Sequence, residues 1–129
     1  MEKNNNEHHI QREITPLSDK DCFYIVDRHK NEFTYPMHCH GEYELNFIEH
    51  GEGLRRIVGD SVETTGAYDL VLIATTDLEH VWEQGDCKSE DIREITIQFA
   101  PTFFDSLIDT NQFARVKAML DKGRNGLCF

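Results

Sequence analysis

The chain has 129 residues, of which 39% are hydrophobic, and its formal net charge is −11. This length predicts a single domain, and no run of 18 apolar residues is present to cross a membrane. A negative charge of this size repels phosphate backbones, so we expect no direct contact between this segment and nucleic acid.

The N-terminal segment is polar and lacks the apolar stretch of a secretory signal. Residues 1–15 are therefore predicted to form a mobile N-terminal tail. The four cysteines form no C-x-x-C pair, and without a signal segment they are expected to remain reduced thiols. These features predict a cytoplasmic location.

Residues 16–100 show short β-prone segments separated by turns, with no helical pattern between them. Some alternate apolar and polar residues, and one is a continuous apolar run typical of a strand that is buried on both faces. The predicted strands are 22–26, 43–48, 54–58, 61–65, 70–74, 80–82 and 92–99, with Gly59-Asp60 as a hairpin turn. Strands at this regular spacing indicate a sandwich or a small barrel.

Residues 101–129 are predicted to be a helical C-terminal segment with two helices. Pro101 suits the first turn of a helix, and a second helix is expected to begin after Asp109 or Thr110 and to end at Gly123. An apolar stripe follows the second helix through Phe113, Val116, Met119 and Leu120. The apolar ending at 126–129 suggests a fragment that leads into a further domain.

Tyr43, Leu45 and Phe47 lie on one face of a predicted strand, opposite Glu44. A strongly apolar outer face is expected to be shielded from water by another part of the structure. A neighbouring sheet, the C-terminal helices or a second copy of the chain could shield it. We favour the helices, followed by a homodimer partner.

One cluster of metal-ligand residue types stands out, because His38, His40 and Glu44 share one parity and so one face of an extended segment. Gly51 completes the spacing His-x-His-x3-Glu-x6-Gly, and His80 follows 36 residues after Glu44. Imidazole and carboxylate groups are ligands for zinc, nickel, manganese and iron.

Two more residues are candidates for the same pocket. Asn46 shares the face of Glu44, and Trp82 shares a face with His80 and could stack on a sugar-like ring. Ordinary core packing is the alternative for both Trp82 and His80. A buried Glu44 needs a partner, for which Arg55, Arg56 or a metal would serve.

The segment from His38 to Gly51 resembles the first cupin motif. Residues 66–73, followed by His80, resemble the second motif, although the usual proline and glycine before that histidine are absent. The wider pattern HxHxxYELNFIExGEG, then VGD, DLVLI and HxW, resembles the N-terminal sensing domain of AraC-type transcription regulators over roughly residues 20 to 125.

This resemblance implies a mostly β, cupin-type double-stranded β-helix (jelly roll), followed here by the two predicted helices. It implies a small-molecule effector, a homodimer, and a DNA-binding domain that this sequence does not contain. In metal-dependent cupins the residues matching His38, His40, Glu44 and His80 hold one divalent metal. In many regulatory cupins the same residues bind a ligand directly, so both readings remain open.

We therefore expect a non-enzymatic ligand-sensing and dimerisation domain that binds a sugar-like metabolite through His38, His40, Glu44, Asn46, His80 and Trp82. A stand-alone metal-dependent cupin enzyme, such as a dioxygenase or isomerase, is the main alternative. A purely structural module with a filled barrel is the third.

Overall fold

The computed structural model describes residues 10–129, which form two five-stranded sheets. The spatial order of the first sheet is β1 (Gln11–Arg12), β3 (His38–Cys39), β8 (His80–Glu83), β5 (Arg55–Val58) and β6 (Ser61–Thr64). The second runs β10 (Leu127–Cys128), β7 (Tyr68–Ile73), β4 (Tyr43–Glu49), β9 (Ile92–Phe99) and β2 (Phe23–Lys30). The mostly β, jelly-roll fold predicted from the sequence is confirmed.

Strand β4 lies at the centre of the second sheet, and its burial alternates with the strand period. Glu44, Asn46 and Ile48 are buried, whereas the residues between them are half-buried. The neighbouring strands β7 and β9 pair with β4 in antiparallel register, so the residues opposite the buried residues of β4 point to the same face. The inner face is therefore polar at one end and apolar at the other, which leaves room for a polar site beside a hydrophobic core.

The hydrophobic core lies at the apolar end of this inner face. Ile48 packs there with Leu54, Val71 and Ile92, all almost completely buried. Gly51 is required beside them, because an added Cβ would stand 2.5 Å from Ile48 and 2.9 Å from Leu54. This close approach explains the glycine that ends the first motif.

The expectation of two C-terminal helices is wrong, because the described residues there contain one α-helix, α1 (Ala114–Lys122). Residues 101–110 instead form consecutive turns, held mostly by hydrogen bonds between residues three apart. Phe103 and Phe104 pack against Phe99 in this segment, so aromatic packing onto the sheet takes the place of a regular helix.

The predicted helical stripe is half-buried, and Gly123 ends α1 as expected. An added Cβ at Gly123 would stand 2.8 Å from Ala74, so the chain lies directly on β7 there. The last described strand, β10, then pairs with β7 and extends the second sheet. The C-terminal segment therefore covers part of the outer face of the second sheet. Phe103 and Phe104 of this segment pack against each other, and Phe104 contacts Phe99 of β9, which contacts Tyr43 of β4.

The predicted mobile tail does not extend to residue 15. Gln11 and Arg12 pair in parallel with His38 and Cys39, and the Glu13 amide donates to the Cys39 carbonyl over 2.9 Å. The part of that prediction that concerns residues 1–9 lies outside the described residues. Among the described helices, none combines the length and the apolar character that a membrane crossing requires.

Candidate functional site

Three histidines converge between the two sheets. His38 lies in β3 directly opposite His80, the first residue of β8, and His40 follows β3. One ring nitrogen from each of the three lies within 4.8 Å of the others. His40 and His80 are buried and His38 is half-buried. The structure thus brings together the three imidazoles that the sequence singled out.

Each of these rings is oriented by a backbone carbonyl. The Nδ1 atoms of His38, His40 and His80 lie 2.9, 3.0 and 2.7 Å from the carbonyl oxygens of residues 36, 42 and 78. A carbonyl only accepts, so each Nδ1 carries the proton and donates it. The Nε2 atoms are the ones left to face each other, which is the arrangement that metal-ligating histidines adopt.

Glu44 completes the cluster from the start of β4. Its Oε1 lies 3.2 Å from the His40 Nε2 and accepts a hydrogen bond of 3.1 Å from the Gln98 amide, and its Oε2 lies 3.6 Å from the His80 Nε2. Neither Arg55 nor Arg56 is its partner, contrary to one sequence expectation. Arg55 pairs with Glu83 at the surface, and Arg56 pairs with Asp69 and Glu63.

The charges within the cluster depend on one another. Burial raises the pKa of Glu44, but the hydrogen bonds from His40 and Gln98 and the neighbouring imidazole charge outweigh it, so the pKa is lowered. Burial lowers the pKa of His40, but the hydrogen bond to Glu44 and its charge raise it overall. Without another cation, Glu44 is therefore an ionised group stabilised by a protonated His40.

His80 differs from His40 because burial dominates. Desolvation lowers the pKa of His80 to about 4, although the charge of Glu44 opposes this. Its Nε2 is buried and has no hydrogen-bond partner among the described residues. A buried lone pair without a donor carries a cost. A metal ion or a ligand donor placed between His80 and Glu44 would remove that cost.

A cavity of about 200 Å³ extends from this cluster along the inner face of the second sheet. Phe33, Val81 and Trp82 contribute apolar walls, and Asn46 and Glu94 contribute polar ones. Asn46 donates to Thr96 over 3.0 Å and to the Glu94 carboxylate over 3.3 Å, which fixes the direction of its amide. Its buried Oδ1 has no partner among the described residues and can accept a hydrogen bond from a ligand.

Trp82 lines the same cavity, and its ring centre lies 6.2 Å from that of His80. Its indole N–H donates to Asp69 over 3.3 Å, and this hydrogen bond fixes the orientation of the ring. Asp69 is buried and also accepts from Arg56 and Cys128, which links strands β5, β7, β8 and β10. Trp82 thus contributes both to the wall of the cavity and to a buried polar network.

Sequence reasoning missed two residues of the cluster, Glu13 and Gln98. Glu13 lies in a polar segment with no periodic pattern, where no sequence signal could have placed it. Gln98 had a signal: it alternates with Ile97 and Phe99, so it shares a face with Glu94 and Thr96. That polar face is the inner one, as it is in β4.

The lowered pKa of His80 gives a measurable pH dependence in metal-free protein. The unfolded chain binds the His80 proton near pH 6.5, whereas the folded chain does so only near pH 4. Stability from this group is therefore full above pH 6.5 and falls by about 3 kcal/mol as the pH drops to 4. We expect urea unfolding, with a chelator present, to show that loss.

The His80→Leu variant, which has no proton to gain there, should lose correspondingly less stability over the same pH range. Equal losses in the two proteins would contradict the burial of a neutral imidazole.

The described residues form a two-sheet β fold with a buried His/Glu cluster and a partly helical C-terminal segment. No family model matches the chain, and no curated protein matches it. Among solved structures, the chain is similar to ToxT from Vibrio cholerae, with a TM-score of 0.52 and 12% identity. ToxT is an AraC-family regulator, so the AraC-type resemblance is confirmed at the level of the fold. The similar region covers 84% of this chain and 42% of ToxT.

Proposed function

We propose that this chain is the ligand-sensing and dimerisation domain of an AraC-type transcription regulator. It binds a small, sugar-like molecule in the cavity beside His38, His40, Glu44 and His80, without catalysing a reaction. The observation that carries the proposal is the cavity lined by His38, Glu44 and Asn46, where the buried Asn46 Oδ1 has no hydrogen-bond partner among residues 10–129. The adjacent His80 Nε2, behind the cavity wall, has none among them either.

The donor set also fits one divalent metal, so the proposed site includes one. Ligands that share an ion at about 2.1 Å stand roughly 3.0–3.4 Å apart in octahedral or tetrahedral geometry. The distances from the Glu44 Oε1 to the His40 Nε2 and from its Oε2 to the His80 Nε2, 3.2 and 3.6 Å, are close to this. The ring nitrogens of the three histidines lie within 4.8 Å of one another, so a bound ion would draw the imidazoles closer together. Bound there, a zinc, nickel, manganese or iron ion would neutralise Glu44 and offer an open position to a ligand oxygen.

The shape and chemistry of the cavity favour a small hydroxylated molecule. A volume of about 200 Å³ is below the ordinary range for drug-sized ligands. The Asn46 Oδ1 requires a donor such as a hydroxyl group, and the Trp82 ring offers an apolar wall for a sugar face. A purely apolar ligand would leave the Asn46 oxygen unsatisfied.

Ligand binding would act on transcription through the rest of a longer protein. The acidic chain is a poor surface for DNA, so a separate DNA-binding domain would read the signal in the cytoplasm. Phe23 and Ile25 on edge strand β2 are each half exposed on the outer face of the second sheet, which supports a homodimer contact there. Ligand binding then shifts the population of dimer conformations.

Binding measurements test the sensor function directly. Thermal unfolding with a panel of monosaccharides, each with and without Zn²⁺ or Ni²⁺, should find at least one that stabilises the protein, by about 2.7 kcal/mol at a hundred times its Kd. Asn46→Leu should abolish the sugar effect, whereas the exposed control Asn111→Leu should keep it. No stabilisation by any sugar, with or without metal, would contradict the proposal.

A metal-dependent enzyme is the second candidate. The observation that favours it is the His80 Nε2, which has no hydrogen-bond partner in the described part of the chain. A three-histidine, one-carboxylate metal with an open position can polarise a substrate. Turnover of a bound sugar by metal-loaded protein, lost in Glu44→Gln, would favour the enzyme over the sensor. Recovery of the sugar unchanged after prolonged incubation would favour the sensor.

A further inference from the structure

Strand β1 brings a second carboxylate to the histidine cluster. The parallel pairing of β1 with β3 is held by backbone hydrogen bonds from Gln11 to Met37 and from Glu13 to Cys39, of 3.1 and 2.9 Å. The second of these bonds fixes the backbone of Glu13 beside the chain that carries His38 and His40. Its side chain is 29% exposed, so most of it is enclosed by the site.

The carboxylate of Glu13 points between two imidazoles. Its Oε2 lies 4.0 Å from the Nε2 of His38 and 4.0 Å from the Nε2 of His40. These are the two nitrogens that the backbone carbonyls leave free. The separation is about 0.6–1.0 Å longer than that of two ligands sharing one ion, about 3.0–3.4 Å, so the Glu13 side chain would have to move by that amount to ligate.

The imidazoles of His38 and His40, at 4.0 Å, are charge partners of Glu13 but make no hydrogen bond with it. The Glu13 carboxylate accepts no hydrogen bond from any residue between 10 and 129 at the distances found, whereas the neighbouring Glu42 accepts one from Thr15 over 2.9 Å. A largely enclosed carboxylate without a donor is costly unless a cation approaches it. The three Nε2 atoms mark where such a cation would lie.

We propose that Glu13 is a further protein ligand of the metal at this site, and that the metal thereby fastens β1 to the jelly roll. This inference rests on the metal of the proposed function. With His38, His40, His80 and Glu44, Glu13 gives five protein ligands, so an octahedral ion keeps one position open for the small molecule.

Co²⁺ is the probe for the test, because its visible absorption reports its coordination number. Wild-type protein, Glu13→Gln and Glu42→Gln are compared by chelator competition and by the absorption spectrum. Glu42→Gln is the matched control, because it removes the same charge near the same histidine. Its Oε2 lies 3.9 Å from the His40 Nδ1, a nitrogen that already donates to a carbonyl and cannot ligate.

Glu13→Gln is expected to weaken Co²⁺ binding about ten- to a hundredfold more than Glu42→Gln does. It should also intensify the visible absorption, because it lowers the coordination number. Equal affinities and spectra in the two variants would overturn the role of Glu13 and leave the metal site in place. A wild-type protein that binds no Co²⁺ would overturn this inference and remove the metal from the proposed function, but metal-free sugar binding would survive that result.

Discussion

Asp69→Ala is expected to lower the free energy of unfolding by about 3–5 kcal/mol, because it leaves a buried arginine without its main partner. The Arg56 and Asp69 side chains are only 6% and 5% exposed. The other carboxylate near Arg56, Glu63, is largely exposed and compensates poorly. The same change removes the acceptor of the Trp82 indole. Urea unfolding at pH 7 measures the loss.

Glu83→Ala is the matched control for Asp69→Ala, because it breaks the exposed Arg55–Glu83 pair between the neighbouring strands β5 and β8. Exposed pairs contribute about 0–1 kcal/mol, so this variant should remain near wild type. The double variant Arg56→Met with Asp69→Leu should be more stable than Asp69→Ala, because it removes both buried charges. Similar losses from Asp69→Ala and Glu83→Ala would show that the Arg56 network is not buried.

His80→Leu is expected to weaken Zn²⁺ or Ni²⁺ binding on the order of a hundredfold or more, because one of the converging ligands is lost. His80 is 1% exposed and neutral near pH 7, so a leucine of similar volume fits the same space. Competition with a chromogenic chelator gives the metal affinity, and thermal unfolding without metal confirms the fold.

His29→Leu is the control for that experiment. His29 is an exposed histidine that pairs with Asp91 at the surface, on the same protein but outside the cluster. Its replacement should leave metal affinity within about twofold of wild type. If both histidine variants bound metal as wild type does, the metal would lie elsewhere on the chain.

Proton release gives the same site a second signature. The His40 Nδ1 donates to a backbone carbonyl and its Nε2 lies 3.2 Å from the Glu44 carboxylate, so in metal-free protein the Nε2 donates a proton to Glu44, and this contact raises the pKa of His40. A metal can bind that nitrogen only after the proton leaves. Metal affinity should therefore fall as the pH is lowered, and calorimetry in buffers of different ionisation enthalpy should detect the released proton.

The sequence pattern singled out most of the cluster, because side chains two or six residues apart on an extended chain share a face. The segment is not one extended strand, however: His38 lies in β3 of the first sheet and Glu44 in β4 of the second, so the packing of the two sheets brings them together. The motif resemblance added His80 to the predicted cluster. In the structure, the pairing of β3 with β8 places His80 directly opposite His38. The spacing of the strands predicted a β-sandwich or a small barrel, whereas the jelly roll itself came from the motif resemblance.

Other parts of the site depend on long-range contacts that local patterns do not encode. Glu13 reaches the cluster only because β1 pairs with β3, and two residues of pairing leave no periodic signal. The partner of Arg56 is likewise decided by which strands become neighbours. The apolar residues of 101–110 have helical spacing, but the segment does not form a regular helix. Phe103 and Phe104 instead pack against Phe99 of the sheet.

Crystals of the protein grown with one equivalent of Zn²⁺ and measured at the zinc absorption edge give the most direct test of the binding site. We predict one anomalous peak between the two sheets, about 2.0–2.2 Å from the Nε2 atoms of His38, His40 and His80 and from an oxygen of Glu44. An ordered cluster with no peak, while zinc is bound at the surface, would contradict the metal site and leave these side chains to hold the ligand by hydrogen bonds alone.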